Sequence, residues 1–455
     1  MIALEPEQMA AAMGASIACS GRSGRPASAV IDSREIAGGE LFFGLTGENE
    51  DGGSYAPSAF ERGAWGVVVS PLTAETACAA VSPGGWVFVA EDPLPAMQAL
   101  ATAWRRKLGS KVIGITGSVG KTSVKDITRA LLPGSVHASQ ENFNTEIGLP
   151  LTILAAPEGT GTMVLEMAMR GVGQIAELAE IAEPDIGVIT AVGPVHLELL
   201  GSIEAVAAAK AELIEGLRPD SPVIVPADAG CLEPHLESVA GLMRFGPGGD
   251  VFAEAVEVTD AGTRARVVTP AGAAEFLFPF TEAHNLENAL AAIAAGVAAG
   301  SDPEDLASRT GSIAFSKLRG EHITLGNGAL LVNDSYNANP VSMLAALEYL
   351  AGIERGRRIA VLGLMAELGP DAARFHAEVG RQARDLGIDL LIGVGPMAGE
   401  YRPDHLVDDP AAAAGLLEDL LGEDSVVLIK GSRAAGLEAV AEALTGATAI
   451  GGGGA

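Results

Sequence analysis

An apolar strand over residues 111–115 runs directly into Gly117-Ser118-Val119-Gly120-Lys121-Thr122-Ser123, and the chain then continues as a helix. That junction constrains the fold more than any other stretch. A glycine-rich turn between strand and helix gathers backbone N–H groups at the positive end of a helix, a geometry that cradles phosphate oxygens. The spacing predicts that the N–H groups of residues 117–122 face the β- and γ-phosphates of a nucleotide, with Lys121 reaching between them and the Thr122 hydroxyl ligating Mg²⁺. Val124, Ile127 and Leu131 recur at helical spacing, so one face of the helix is expected to be fixed against a sheet. The competing reading is a glycine-rich turn with an incidental lysine. The motif specifies a nucleoside triphosphate and leaves the reaction open.

A chain of 455 residues exceeds the roughly 250–300 at which one hydrophobic core stops growing. Three α/β domains are therefore expected, over residues 1–92, 93–312 and 313–455. Over 30–69 short apolar runs alternate with turn residues, which reads as a small α/β module; EDPLP at 91–95 precedes a helix that delivers the chain to the next strand. The middle region repeats strand then helix through VIGIT, TMVLEM, DIGVIT and PVIVPAD, the pattern of a parallel sheet covered on both faces. Over 244–280 the period changes to two with glycine turns, predicting an antiparallel hairpin insertion. After Ile313, LLVNDS, RIAVLG, DLLIGVG and SVVLIKG each lead into a helical segment, a second doubly wound unit. The closing ATAIGGGGA is read as a frayed tail without function.

Lys and Arg number 29 against 58 Asp and Glu, a formal charge of −29, so the surface repels nucleic acid and anionic membranes. An anionic nucleotide then needs a local cradle of N–H groups, a lysine and a metal ion. Cys19, Cys78 and Cys231 stand far apart in sequence without metal-ligand spacing, so neither a disulfide framework nor a zinc site is suggested and they read as ordinary core thiols. The start of the chain lacks a basic, apolar leader, and no run reaches the ~20 apolar residues of a membrane span, so a cytoplasmic location is expected; a monomer is expected too, though nothing in the sequence fixes the oligomeric state.

Ligands of doubly wound sheets sit outside the carboxyl ends of strands, where Glu166 (ending MVLEM) and His196 (in GPVHLE, after DIGVIT) fall. Both are candidates to face the phosphates; the alternatives are a helix-capping Glu166 and a hydrogen-bonded loop His196. Lys210 is the only lysine between Lys125 and Lys317. Taken alone in its alanine-rich helix, it reads as a solvated side chain.

The chain resembles the Mur ligases over nearly its whole length. The resemblance rests on GSVGKTS at Gly117, ENFNTEIGLPLTIL at 141, LEMAMRGVGQI at Leu165, GPVHLE at Gly193, HNLENALAA at His284, NDSYNANPVSM at Asn333, MAELG at Met365 and KGSR at Lys430. It is strongest toward the member that adds D-alanyl-D-alanine to UDP-N-acetylmuramoyl-tripeptide in cell-wall precursor synthesis. The fold it implies is α/β: a central phosphate-loop domain with a doubly wound, mostly parallel sheet, flanked by a small N-terminal α/β domain that binds the UDP-substrate and a C-terminal Rossmann-like ligase domain.

Several roles follow by implication. Lys121 and Thr122 would hold ATP and a first Mg²⁺, with Glu166 and His196 helping to place metal ions. Lys210 falls where the family has a lysine carbamylated by CO₂, a carboxylate-like oxygen donor for a second Mg²⁺. Asn285 and Asn288 would lie near the adenine, and Arg319 and Asp334 would reach ATP from the third domain. Asn142, Asn144 and Thr145, with Asn337, Lys430 and Arg433, would contact the muramoyl-peptide or the dipeptide. Asp32, Ser33, Arg34 and the stretch from Gly47 to Asp51 would form the uridine pocket. The sequence departs from the family at Leu364, where Asp is common, at Ala434-Ala435 in place of Ser-Met, and at DGGSY in the first domain. Those changes touch substrate pockets rather than the ATP cradle. A relative adding a single amino acid, or glutamate to folate, would carry an Asp-Asn-Pro-Arg-like run in the third domain; MAELG and KGSR stand there instead. A nucleotide switch or simple ATPase is the rival of another class, and no Asn-Lys-x-Asp guanine signature follows the phosphate turn.

Overall fold

The computed structural model describes residues 2–446 apart from 141, 260 and 355, so the ATAIGGGGA tail and the first residue of the ENFNTEIG motif lie outside the described residues. Four sheets account for its strands. The first holds β1 (Ser16–Cys19), β2 (Ala29–Val30), β3 (Leu41–Phe43), β4 (Gly66–Val69) and β5 (Trp86–Val89) in the order β1-β5-β4-β3-β2. Only β1 runs antiparallel to its neighbour.

These strands are short continuous apolar runs because both faces are covered, and the period of two sorts their side chains into two cores. Phe42, Val67, Val69 and Val87 pack with Ala56, Ala59 and Phe60 on one face. Leu41, Phe43, Val68 and Phe88 face the other way, into a larger core with Met97, Leu100 and Trp104 of the helix Pro93–Leu108. That helix starts with Asp92 accepting the Leu94 N–H and has proline at its first position. Its core runs on through Leu149 and Leu178 of the following region, so one helix cements two sheets. The cysteine reading needs correction here. Cys19 and Cys78, 59 residues apart, meet with their Sγ atoms 2.7 Å apart, and all three thiols are half-buried rather than core. Sequence distance hid a contact that the β1 end and the helix Ala74–Ala80 make in space.

The second sheet is parallel throughout: β6 (Lys111–Thr116), β7 (Val136–Ala138), β8 (Thr162–Glu166), β9 (Ile186–Ile189), β10 (Val223–Pro226) and β11 (Leu242–Phe245), ordered β11-β10-β9-β6-β8-β7. Strand β6 lies between β8 and β9, so the order reverses there and a crevice opens beyond the three carboxyl ends. The helix Lys121–Leu131 packs between this sheet and the helix Ala283–Ala298. Being covered on two sides, it buries Lys125, Asp126 and Thr128 as well as the apolar stripe read from the sequence.

The region expected as a hairpin is a three-stranded antiparallel meander, β12 (Phe252–Thr259), β13 (Gly262–Thr269) and β14 (Gly272–Phe278). Ala265, Val267, Phe276 and Phe278 turn toward the helix Ala283–Ala298. The meander packs on the second unit, and the third sheet, doubly wound again, contains β15 (Glu321–Thr324), β16 (Leu330–Asp334), β17 (Arg358–Leu362), β18 (Leu390–Val394), β19 (His405–Val407) and β20 (Val426–Lys430), ordered β15-β16-β20-β17-β18-β19. The antiparallel edge strand β15 precedes the first strand legible in the sequence, because EHIT is short and mostly exposed. Among the described residues no helix is long and apolar enough to cross a membrane.

Trp104 is fully buried and its indole N–H donates to the Ala156 carbonyl at 3.0 Å. Trp104→Ala removes that bond and opens a cavity in the core shared by two sheets, so urea unfolding is expected to show a loss of about 3–5 kcal/mol. A loss below about 1 kcal/mol would mean that this helix does not cement the two sheets.

Candidate active site

Strand β6 leaves the sheet at Thr116 and the next helix starts at Lys121, so the intervening residues must reverse direction within one turn. Glycine makes this possible at two points. Gly117 has φ 153° and Gly120 φ 82°, and a Cβ would overlap Thr190 Oγ1 at the first and Asn288 Oδ1 at the second. Neighbouring strands brace the turn from outside. The Thr190 hydroxyl, just past β9, donates to the Val119 carbonyl at 2.5 Å, and Ser118 Oγ accepts from the Gly193 N–H at 2.9 Å. The Ser118 N–H itself donates to the Ala191 carbonyl at 2.8 Å. It is therefore not among the amides free to face phosphate, contrary to the expectation for the whole run. Lys121 folds back so that its Nζ donates to the Gly117 carbonyl at 2.8 Å.

Glu166 closes β8 and is 2% exposed. Its two oxygens accept from Thr122 Oγ1 and from Asn144 Nδ2, each at 2.7 Å, so it caps no helix and instead ties the phosphate turn to the Asn142–Thr145 loop. Asn142 and Thr145 line the same cleft. Thr122 and Glu166 offer hard oxygen donors side by side, the type that a Mg²⁺ ion takes.

Lys210 is not a solvated helix lysine: it is 1% exposed, and its Nζ has no hydrogen-bond partner among the described residues. Burial, with the nearby Lys121 charge added, pushes its amine well below the usual lysine range. Burial also pushes Lys121 down, with Arg319 adding to the effect and Glu166 opposing it. Three cationic side chains thus press on one another around the turn.

His196 adopts a left-handed backbone (φ 53°) and its Nδ1 contacts the carboxylate of Glu367, itself left-handed (φ 62°), in the MAELG segment of the third sheet's domain. It meets no oxygen of Glu166. Among the described residues no three His, Cys, Asp or Glu side chains cluster as a metal-ligating group. Asn285 and Asn288 sit on one face of the helix Ala283–Ala298, Asn288 Nδ2 donating to Asn285 Oδ1 at 3.2 Å, with Asn288 against Gly120.

From the third sheet, Arg319 lays its guanidinium 4.2 Å over the Tyr336 ring. Asp334 and Lys430 end neighbouring parallel strands in register, and Lys430 Nζ lies 2.6 Å from Asp334 Oδ2 and donates to the Asn337 carbonyl at 3.0 Å. Two residues expected on different substrates are thereby each other's partners. Arg433 pairs with Glu438 at 3.1 Å. All of these, with the phosphate turn, face one cleft of about 1650 Å³ between the second and third sheets. The first-domain set lies outside it. Asp32 pairs with Arg34 at 2.6 Å, Ser33 is buried beside them, the Gly47 N–H donates to the Glu50 carbonyl, and Asp51 accepts the Gly53 N–H at 2.8 Å. Thr190, Tyr336 and Glu367 were not singled out from the sequence, although Thr190 closes an apolar strand at the switch point and the other two sit inside motifs already noted.

Gly120→Ala forces a side chain into a left-handed turn against Asn288, at a cost of about 1–2 kcal/mol for the backbone alone. A lower melting temperature and weaker nucleotide binding are both expected. Unchanged nucleotide affinity in calorimetry would show that this turn is not the binding element.

Residues 115–296 match the Mur ligase middle domain, and residues 318–433 match the Mur ligase, glutamate ligase domain. The UDP-N-acetylmuramoyl-tripeptide–D-alanyl-D-alanine ligase of Bacillus subtilis is 35% identical over 426 residues, covering 91% of this chain and 92% of its own length. Its Escherichia coli counterpart is 33% identical over 429 residues, with 91% and 92% covered. Among solved structures, MurF from Acinetobacter baumannii superposes with a TM-score of 0.87 at 26% identity, covering 98% of this chain and 100% of that one. MurF ligase from Thermotoga maritima in complex with ADP gives 0.79 at 29% identity, covering 92% and 97%. With relatives of this identity matched along nine-tenths of both chains, and the phosphate turn inside the matched middle domain, the chain belongs to the Mur ligase family.

Proposed function

We propose that this protein is an ATP-dependent ligase that joins D-alanyl-D-alanine to UDP-N-acetylmuramoyl-tripeptide, releasing ADP and phosphate. Full-length similarity to ligases of that name supports the substrates, and the ADP bound by the Thermotoga relative supports the nucleotide. The observation that carries the reading is the glycine turn itself, with Lys121 folded back on the Gly117 carbonyl and Thr122 on Glu166. In a chain of net charge −29, Arg319 and the buried Lys210 both act on Lys121 there, an arrangement that phosphate charge would relieve.

Amide formation from a carboxylate is uphill in water, so the acid must first be activated. The terminal carboxylate of the tripeptide attacks the γ-phosphorus of ATP, the bond to the bridging oxygen breaks, and ADP leaves with that electron pair. The acyl phosphate then meets the amine of D-alanyl-D-alanine, which forms the C–N bond, loses a proton and expels phosphate. Neither step needs a protein nucleophile; both need charge neutralisation and alignment. In this scheme Lys121 and the free amides of the turn hold the phosphates. Thr122 and Glu166 would hold a Mg²⁺ ion, which would supply charge neutralisation at the phosphates. Asn142, Asn144 and Thr145 hold the peptide end, Asn285 and Asn288 border the nucleotide, and Arg319, Asp334, Asn337, Lys430 and Arg433 act from the other wall. Asp32, Ser33, Arg34, Gly47 and Asp51 serve the uridine end from the first domain. In this reading the chain divides at residues 92 and 312, one domain for each of these parts. An acyl phosphate hydrolyses readily, so closure of the third domain over the cleft protects it.

Lys210 as an amine repels a cation. Carbamylated, it would offer carboxylate-like oxygens able to hold a second Mg²⁺, with His196 as a further candidate ligand. A buried lysine with a depressed pKa supports this, because only the neutral amine attacks CO₂. The sign follows: the carbamate fraction is highest at alkaline pH and falls as the amine protonates. Nuclear magnetic resonance with labelled bicarbonate is expected to show one carbamate signal that disappears on acidification and is missing in Lys210→Ala; a signal that persists in that variant assigns the carbamate elsewhere.

Mass spectrometry of the product from ATP, UDP-N-acetylmuramoyl-tripeptide and D-alanyl-D-alanine tests the function. A gain of one dipeptide is expected, and a gain of a single amino acid from a mixed pool overturns it. Lys121→Ala is expected to lower turnover by about a hundredfold to a thousandfold, and near-normal turnover would refute the assignment of the turn.

A further inference from the structure

The helix that Lys121 opens carries a buried carboxylate with no part in the cleft. Asp126 is 8% exposed, and its Oδ2 accepts two hydrogen bonds from one residue 190 positions away: the Ser316 N–H at 2.9 Å and the Ser316 hydroxyl at 2.8 Å. Its Oδ1 lies 3.0 Å from Lys125 Nζ. Lys125, 2% exposed, donates in turn to the Ser139 carbonyl, and Ser139 Oγ accepts the N–H of Glu166 at 3.1 Å. One buried polar chain therefore links the Glu166 end of β8, through the helix, to the linker that enters the third domain. Buried polar groups so fully paired hold a single geometry, since breaking any bond strands a partner away from water.

The linker is built to pass that geometry on. Ser316 precedes Arg319 by three residues, a span of at most ~10 Å of chain. Between them Leu318 is forced into the left-handed region (φ 62°), and its carbonyl accepts the Tyr336 N–H at 3.2 Å. Arg319 then stacks on the ring of that same Tyr336, and Gly320 (φ 67°) turns the chain into β15. The segment is pinned at one end to the phosphate-turn helix and at the other to the third sheet, with Arg319 beside the second pin. Strain at a non-glycine residue of this kind persists only when both flanks are held.

We infer that Asp126 is a positioning residue: by clamping Ser316 it sets where Arg319 stands over the phosphate turn, coupling the nucleotide-binding helix to the third domain. This rests on the reading that Arg319 acts on ATP during ligation. Asp126 touches no substrate, so its loss should alter turnover rather than the first grip on nucleotide.

The test is a double-mutant cycle on the full-length protein, using ligation rates with saturating substrates and ATP affinity by calorimetry. Asp126→Ala is expected to lower kcat about tenfold or more, with the dissociation constant for ATP changed less than about twofold. In an Arg319→Ala background the same substitution should add less than about twofold, because the clamp has nothing left to position. Asp126→Asn, which keeps an acceptor for Ser316, should recover most of the rate. If Asp126→Ala unfolds by stranding Lys125, Ser316→Ala takes its place in the cycle, with a smaller loss expected because the Ser316 N–H bond survives. Independent, multiplicative losses in the Arg319→Ala background overturn the inference, as does a folded clamp variant with an unchanged kcat. Failure of the wild-type protein to make the ligated product would instead count against the functional reading on which the inference rests.

Discussion

Glu166 holds the centre of this molecule. A carboxylate removed from water at the end of β8 must find hydrogen-bond donors, and here one oxygen takes the Thr122 hydroxyl while the other takes the Asn144 amide. That requirement fixes the helix opened by Lys121 relative to the Asn142–Thr145 loop. The turn itself has little freedom. Thr190 grips Val119 from β9's end, Gly193 holds Ser118, and glycine at 117 and 120 leaves no room for a side chain. A phosphate cradle with its surroundings already in place spends little binding energy on ordering itself.

The electrostatics follow from that rigidity. A protein carrying −29 should repel a nucleotide at long range, so the attraction has to be local, at the turn where Lys121, Lys210 and Arg319 stand near one another. Lys121 and Lys210 are each pushed toward neutrality by burial and by neighbouring positive charge, and Arg319 arrives from the opposite wall on a strained linker. Such a site is poorly satisfied alone, and negative charge placed at the turn would relieve it. Two further contacts pair charged groups at the cleft: Glu367 reaches across it to His196, and Asp334 holds Lys430 on the neighbouring strand.

Much of this was legible in the sequence. The strand, the glycine turn and the apolar stripe through Val124, Ile127 and Leu131 announce a braced turn at the carboxyl end of an interior strand, and the alternating strand and helix patterns give the second and third sheets. What stayed hidden has physical reasons. Lys210 falls on the face marked by Val206 and Leu213, but with mostly alanine and acid around it a solvated lysine remained the ordinary expectation. The Asp334–Lys430 pair depends on the register of β16 against β20, 96 residues apart, which no local pattern encodes. The Cys19–Cys78 contact and the Asp126–Ser316 clamp are likewise products of tertiary packing. The meander over 252–278 was seen as a change of period but undercounted by one strand, since a hairpin and a meander share the same alternation.

The central claim is that the peptide acid becomes a phosphoric anhydride inside this cleft, and oxygen tracing tests it most directly. If the terminal carboxylate of the tripeptide substrate is labelled with heavy oxygen and the ligation is run to completion, one labelled oxygen is expected in the released phosphate, carried there when the amine breaks the C–O bond. Unlabelled phosphate alongside ligated product would contradict the acyl-phosphate account and require a different activation of the acid.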